Sequence, residues 1–361
     1  MKSAGIKYMR KRIINDNCKF LYLKIVCFYV ILRKEMKPLV LKRHERPITK
    51  VKFNREGDLL FSCSKDSLPI VWYADNGEML GVYEGHNGVV WCVDLTWNTR
   101  FMVTGGGDNQ CLLWDVETGD VVQRFVSPTT VRTVGFSFSG SLFFYTNDPG
   151  TNEDAALSIF DGRDENQMEG KKPGIVYRLN GKKATSGLWA HLDDTVLLGT
   201  DHGELVKYDL RKPDLTAYTV KEHKREVMDL KTSNEQILVI SASKDNTARL
   251  FDVKTLECLK TYKAERPVNS AAISPIRDHV MLGGGLEAMN VTTTDTRHGH
   301  FEAKLYHMIF EEEFARVKGH FGPINSLTFH PNGQSFVTGG EDGNIRINEF
   351  DEDYFHFDYD Y

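Results

Sequence analysis

Three kinds of side chain that together make a nucleophilic triad, an imidazole, a hydroxyl and a carboxylate, recur in this sequence at fixed distances. His44, Ser62 and Asp66 form one set, and His86, Thr104 and Asp108 a second. His223, Ser241 and Asp245 form a third, and His320, Thr338 and Asp342 a fourth. In each, the carboxylate follows the histidine by 22 residues and the hydroxyl precedes the carboxylate by 4. Six residues beyond the carboxylate stands Trp72, Trp114, Phe251 or Asn348. A single set would invite an acyl-transfer reading, with the imidazole as base and the hydroxyl as nucleophile. Four sets in one chain argue against it, because an enzyme has no use for four copies of one active site. The same groups also make a closed hydrogen-bond network: the hydroxyl joins the imidazole to the indole N–H, and the carboxylate holds the other ring nitrogen. Such a network would tie two turns to the strands between them.

The elements that must position these groups are short strands. Residues 84–115 open on Gly85-His86 and run through apolar stretches at 89–95 and 101–104. They then turn at 105–109 and close on Leu112-Leu113-Trp114-Asp115. Three strands separated by turn residues, repeated with a period of forty-odd, resemble the WD40 repeat, a propeller blade that cannot bury its faces alone. His44 and His320 are 276 residues apart, and six intervals of 46 match the 42 seen between His44 and His86. Seven blades follow. The last has no room for a fourth strand before the acidic, aromatic end of the chain, so residues 39–41 are expected to supply it and close the ring. The expected fold is therefore all-β, a seven-bladed WD40 β-propeller closed by an N-terminal strand in the last blade. Its domains are an extension at 1–35, the propeller at 36–351 and an acidic aromatic tail at 352–361.

The third, fourth and sixth units lack the full set. Runs at 131–138, 141–146 and 156–161 mark the third, and runs at 186–190, 195–199 and 204–209 the fourth; residues 171–183 read as a loop between them. In the fourth, His202 falls where Asp108 stands in the second. The sixth is expected to use 271–274, 280–284 and 289–293, with its fourth strand starting at 301 and ending in an acidic turn at 311–313.

The net charge of -5 hides an asymmetry. Residues 1–35 carry nine Lys or Arg against Asp16 and Glu35, a local +7, which leaves -12 on the remainder. A body that acidic is poorly suited to tracking nucleic-acid phosphates, so no direct nucleic-acid binding is expected, and basic protein surfaces are the expected partners. The basic start precedes an apolar run at 20–32 that is too short to span a membrane. Two readings stand: a targeting segment, or an upstream translation preceding a start at Met36, which the lead-in Met36-Lys37-Pro38 favours. Cys18, Cys27, Cys63, Cys92, Cys111 and Cys258 form no CxxC pair, as expected of a protein in the reducing cytoplasm without zinc. Gly105-Gly106-Gly107 and Gly283-Gly284-Gly285 lack the following Lys of a phosphate loop and read as tight turns. Glu311 to Glu313 read as a solvated acidic turn. No catalytic, cofactor-binding or metal-ligating residue is assigned.

Several stretches outside the WD40 pattern resemble one family. HERPIT (44–49), NREGDLLFSCSKD (54–66), ERPVNSAA (265–272), GGGLEAMNVTTT (283–294) and RVKGHFGPINS (316–326) are similar to the i subunit of eukaryotic translation initiation factor 3. The resemblance runs from Met36 to the C-terminus and is weak in the third and fourth units. It implies a non-catalytic scaffold, working on the small ribosomal subunit, that binds the g subunit and also the b subunit through a C-terminal helix of the latter. A WD40 adaptor of receptor serine/threonine kinase signalling is the alternative. First and third strands of a blade run the same way, so the turn after the first and the end of the third emerge on one face, opposite the histidines. In the fifth unit these places hold Glu235 and Asp252, beside Leu250, a patch suited to an amphipathic helix bearing arginine. The resemblance places the helix of the b subunit at the fifth and sixth blades.

Overall fold

The structure, a computed structural model, describes residues 38–190, 192–211, 217–285 and 301–356. These form seven antiparallel four-stranded sheets, six of which follow the chain outward from an innermost strand. Blade 2 is representative: Val90–Leu95 pairs with Phe101–Gly106, which pairs with Gln110–Asp115, which pairs with the outer strand Val121–Val126. The second strand is apolar along nearly its whole length because a neighbouring blade covers each face. The outer strand alternates between covered and exposed side chains. Between blades lie separate apolar clusters, such as the one joining Phe61 and Tyr83 of blade 1 to Met102 and Trp114 of blade 2.

The ring closes as the sequence implies. Leu39–Leu41 pairs antiparallel with Ile345–Glu349 in blade 7, with Leu39 opposite Ile347 and Leu41 opposite Ile345. Leu41 is buried among Ile48, Val337 and Ile347, so the two ends of the propeller share one core.

Each innermost strand carries a register shift at its second residue: Thr49, Trp91, Arg132, Thr185, Met228, Asn269 and Asn325. A bulge there leaves one residue out of the ladder and re-aims it. All seven bulged residues line one mouth of the central channel, a cavity of about 450 Å³.

Several expectations are corrected. Residues 171–183 are not a loop throughout: Ile175–Arg178 is the outer strand of blade 3, preceded by a short helix, Glu165–Gly170, capped by Asp164. In blade 6 the third strand is Glu302–His307, paired with His279–Gly284, and the fourth is Glu313–Lys318. The stretch from 301 is thus one place further in than expected, and Glu313 belongs to a strand. The expected strand at 289–293 lies outside the described residues, as do 1–37 and 357–361.

Gly105, Gly106, Gly283 and Gly284 lie inside strands rather than in tight turns. Gly105 has no room for a side chain because Val131 and Val134 of the next blade press on it, and a Cβ on Gly106 would meet Asp108 and His86 at 2.3 and 2.6 Å. The tail is not wholly separate from the propeller either. Glu352–His356 is a helix whose Tyr354 is fully buried, stacked 3.9 Å from Phe350, with its hydroxyl 2.9 Å from His279 Nδ1.

Candidate functional site

Each of the four recurring sets assembles within one blade, joining the segment that leads into it to its second strand and the turn after that strand. In blade 2 the His86 Nδ1–H donates to Asp108 at 2.9 Å, Nε2 accepts the Thr104 hydroxyl at 2.8 Å, and the same hydroxyl accepts the Trp114 indole N–H at 2.8 Å. Blade 1 repeats this with His44, Asp66, Ser62 and Trp72 at 2.7, 2.8 and 2.9 Å. Blades 5 and 7 keep the first two bonds: His223 to Asp245 and Ser241 at 3.0 and 2.6 Å, and His320 to Asp342 and Thr338 at 3.0 and 2.8 Å. Phe251 takes the indole's place in blade 5, its ring centroid 6.5 Å from that of His223, and Asn348 does so in blade 7.

The wiring from hydroxyl to imidazole to carboxylate is that of a triad, but the surroundings are not. Ser62, Thr104 and Ser241 have no exposed surface, so no substrate carbonyl can reach them. In blades 1 and 2 the oxygen that would attack is occupied by the indole N–H. The carboxylates also accept backbone N–H groups from the segment leading into the blade and from the start of its third strand: Asn87 and Gln110 on Asp108, Lys224 and Thr247 on Asp245. Burial alone would raise the pKa of these carboxyls. The histidine and backbone N–H bonds outweigh it and hold Asp66, Asp108, Asp245 and Asp342 below the ordinary carboxylate range. In blade 4, Asp201, one place before His202, accepts the Lys183 N–H at 3.1 Å, a partial staple that alignment on Tyr208 overlooks.

A second polar cluster, not foreseen from the sequence, crosses the central channel. Lys50 of blade 1 donates to Asp229 of blade 5 at 2.6 Å, and Lys231 lies 3.3 Å from the same carboxylate. Ser270 of blade 6 donates to Asp229, and Lys231 to the Leu327 carbonyl of blade 7. Burial would lower the Lys50 pKa, but the Asp229 charge more than reverses it; for Lys231, burial prevails, with Lys50 adding to it, and the ammonium falls to about 8. The signal was present as charged residues at alternate positions of otherwise apolar innermost strands, Lys50 with Lys52 and Asp229 with Lys231.

On the face opposite the histidines, Glu235 is exposed in the first turn of blade 5, and Asp252, opposite Leu238 in the ladder, ends the third strand beside it. Asp252 accepts the Lys254 and Thr255 backbone N–H groups at 2.8 Å each. Chiefly these bonds, the Thr255 one first, keep its carboxyl below the usual range. Leu250 is a correction: it is 3% exposed and packed with Ala242, Val268 and Tyr306 in the cluster between blades 5 and 6, out of reach of any partner. The apolar side chains exposed near that joint are Ile237, Leu259, Ile309 and Phe310, with the Lys260 ammonium bonded to the Ile309 carbonyl across it.

Among the described residues no three His, Cys, Asp or Glu side chains gather as metal ligands, and no helix is long and apolar enough to cross a membrane. Cys63, Cys92, Cys111 and Cys258 are free thiols.

A family model described as EIF3I matches residues 36–360. The eukaryotic translation initiation factor 3 subunit I of Brugia malayi is 54% identical over 327 residues, covering 90% of this chain and all of the relative. The subunit I proteins of Homo sapiens and Drosophila melanogaster are each 50% identical, over 325 and 321 residues, covering 90% and 89% of this chain and 100% and 98% of theirs. On this match across the whole propeller, the chain belongs to the eukaryotic translation initiation factor 3 subunit I family.

Proposed function

We propose that the protein is a non-catalytic scaffold of the initiation factor 3 complex in the cytoplasm, holding the b and g subunits together for assembly on the small ribosomal subunit. The observation that carries this reading is the state of its polar groups. Among the described residues the triad-like constellation is buried four times over with its donors and acceptors engaged, while carboxylates stand exposed on the opposite face. A propeller arranged in this way offers surfaces rather than a reaction site. The relatives' names favour initiation over the kinase-signalling adaptor.

The helix of the b subunit docks across the joint of blades 5 and 6, with Glu235 and Asp252 receiving arginine and Ile237, Ile309 and Phe310 supplying the apolar contact that Leu250 cannot. Asp252 also caps its turn, so charge and cap must be separated in a test. The C-terminal helix of the b subunit, made as a labelled peptide, is titrated against the wild type and the double variant Glu235→Lys with Asp252→Asn, the latter substitution keeping an oxygen for the two backbone N–H groups. Weakening by about 2 to 5 kcal/mol in the double variant, with an unchanged melting curve, is the expected result where the pairs are desolvated. Equal affinity in a folded double variant places the helix elsewhere.

A further inference from the structure

The same face carries a second patch of opposite character, across the channel mouth from the turn that holds Glu235. The residue that opens each first turn donates its N–H to the start of the second strand: Asn54, Thr96, Ser137, Ser233, Ser274 and His330 do so in six blades. In five of these blades the residue after it lines this mouth of the channel. In blades 5, 6 and 7 it is Asn234, Pro275 or Pro331, ordinary turn residues, whereas in blades 1, 2 and 3 it is Arg55, Trp97 and Phe138. The Arg55 guanidinium lies 3.7 Å from the Trp97 ring centroid, and Trp97 lies 4.3 Å from Phe138. Both rings face solvent over much of their surface, Trp97 being 42% and Phe138 38% exposed.

These three side chains form one wall of an open cavity of about 590 Å³ at this mouth of the channel, whose opposite wall is the blade 5 turn with Ser233, Asn234 and Gln236. Its charged lining residues are Lys52, Arg55 and Asp94, two cations against one carboxylate, in a body that carries -12. Asp94 is already engaged, pairing with Lys52 and accepting the Leu95 and Phe136 N–H groups at 2.8 Å each. Lys52 therefore keeps ammonium hydrogens to donate, and Arg55 has no carboxylate at ion-pair distance among the described residues. A cation fixed by stacking on an indole, next to a second exposed ring, is the composition of a binding hot spot.

We propose that this cavity binds a short acidic peptide of another protein, inserting an aromatic or large aliphatic side chain against Trp97 and Phe138 and giving a carboxylate to Arg55. Charge decides the occupant. An acidic segment is repelled by the rest of the surface, including the Glu235 and Asp252 patch, and attracted here, whereas a basic helix is sorted the opposite way. The site shares the channel mouth with the Glu235 turn but takes its contacts from blades 1 to 3, and so goes beyond the docking at blades 5 and 6.

The test uses the full chain and a fluorescein-labelled peptide of about twelve residues alternating Asp or Glu with Phe or Leu. Two counterparts replace the acids by Asn and Gln, or by Lys. Saturable binding of the acidic peptide is expected, weakening with added salt. Arg55→Glu and Trp97→Ala should each weaken it at least about tenfold. Both variants should melt as the wild type does, because the substituted side chains are exposed, and Glu235→Lys should bind the peptide undiminished. The proposal is overturned if the acidic peptide does not saturate, or if either counterpart binds as well. Unchanged affinity in a natively melting Arg55→Glu or Trp97→Ala protein overturns it too.

Discussion

Replacing Asp108 by alanine separates the network reading from the catalytic one. The carboxylate accepts three hydrogens: the His86 Nδ1–H at 2.9 Å, the Asn87 N–H at 3.0 Å and the Gln110 N–H at 3.3 Å. The two backbone donors, in the bend at Asn87 and at the start of the strand at Gln110, are not fully buried, so water can replace the carboxylate. The imidazole cannot be rescued in this way, because His86 is only 4% exposed and sits against Gly106. Leaving one buried donor without an acceptor costs about 1 to 3 kcal/mol. A cost near 2 kcal/mol lowers the melting temperature of a cooperative unit this large by about 3 °C. Asp108→Asn, which keeps an oxygen opposite Nδ1, should fall between the alanine variant and the wild type. The effect carries a pH signature. A carboxyl whose folded pKa is depressed contributes stability that is present above its unfolded value, near 3.9, and lost as pH falls through the folded value. The gap between wild type and Asp108→Ala should thus be full at neutral pH and shrink below about pH 4. Scanning calorimetry at several pH values measures it. An unchanged melting temperature at neutral pH, together with labelling of Thr104 by a serine-hydrolase probe that Asp108→Ala abolishes, would refute the network reading.

Other perturbations probe what joins the blades. Asp229→Asn should destabilise the ring by about 3 to 5 kcal/mol in urea titrations, because it leaves Lys50 and Lys231 facing each other in the channel; Lys50→Met should cost less, since Lys231 remains to pair with Asp229. Tyr354→Ala should cost about 3 to 5 kcal/mol for the lost ring and Tyr354→Phe about 1 kcal/mol for the bond to His279, both read from melting curves. A chain beginning at Met36 should fold as the full chain does, while one beginning at His44 loses the strand that closes blade 7 and should aggregate, which light scattering detects.

Whatever repeats within one blade was legible from the residues alone. A blade is a contiguous stretch of chain, so the partners of His86, namely Thr104 and Asp108, lie on the second strand of its own blade and in the turn that follows it. Their spacing of 18 and 22 residues is set by strand and turn lengths alone. The number of blades and the closing strand at Leu39 follow from the same counting, because a ring tolerates only whole units and no open edge. The degenerate blades were less legible, since without the polar markers a strand such as Ile175–Arg178 or Glu302–His307 has only its own short pattern to announce it.

Relations between blades emerge only once the ring is closed. Lys50 meets Asp229 across 179 residues of sequence, and Tyr354 meets His279 across 75, separations that no local period encodes. Leu250 and Asp252 looked alike as neighbours of a turn, yet the next blade covers the first and leaves the second its charge. Gly106 likewise reads as a turn residue until the imidazole and carboxylate packed against it show that the space itself is needed. The physical reason is common to all three. Hydrogen bonding along a strand is local, whereas burial and ion pairing depend on which surfaces the closed ring brings face to face.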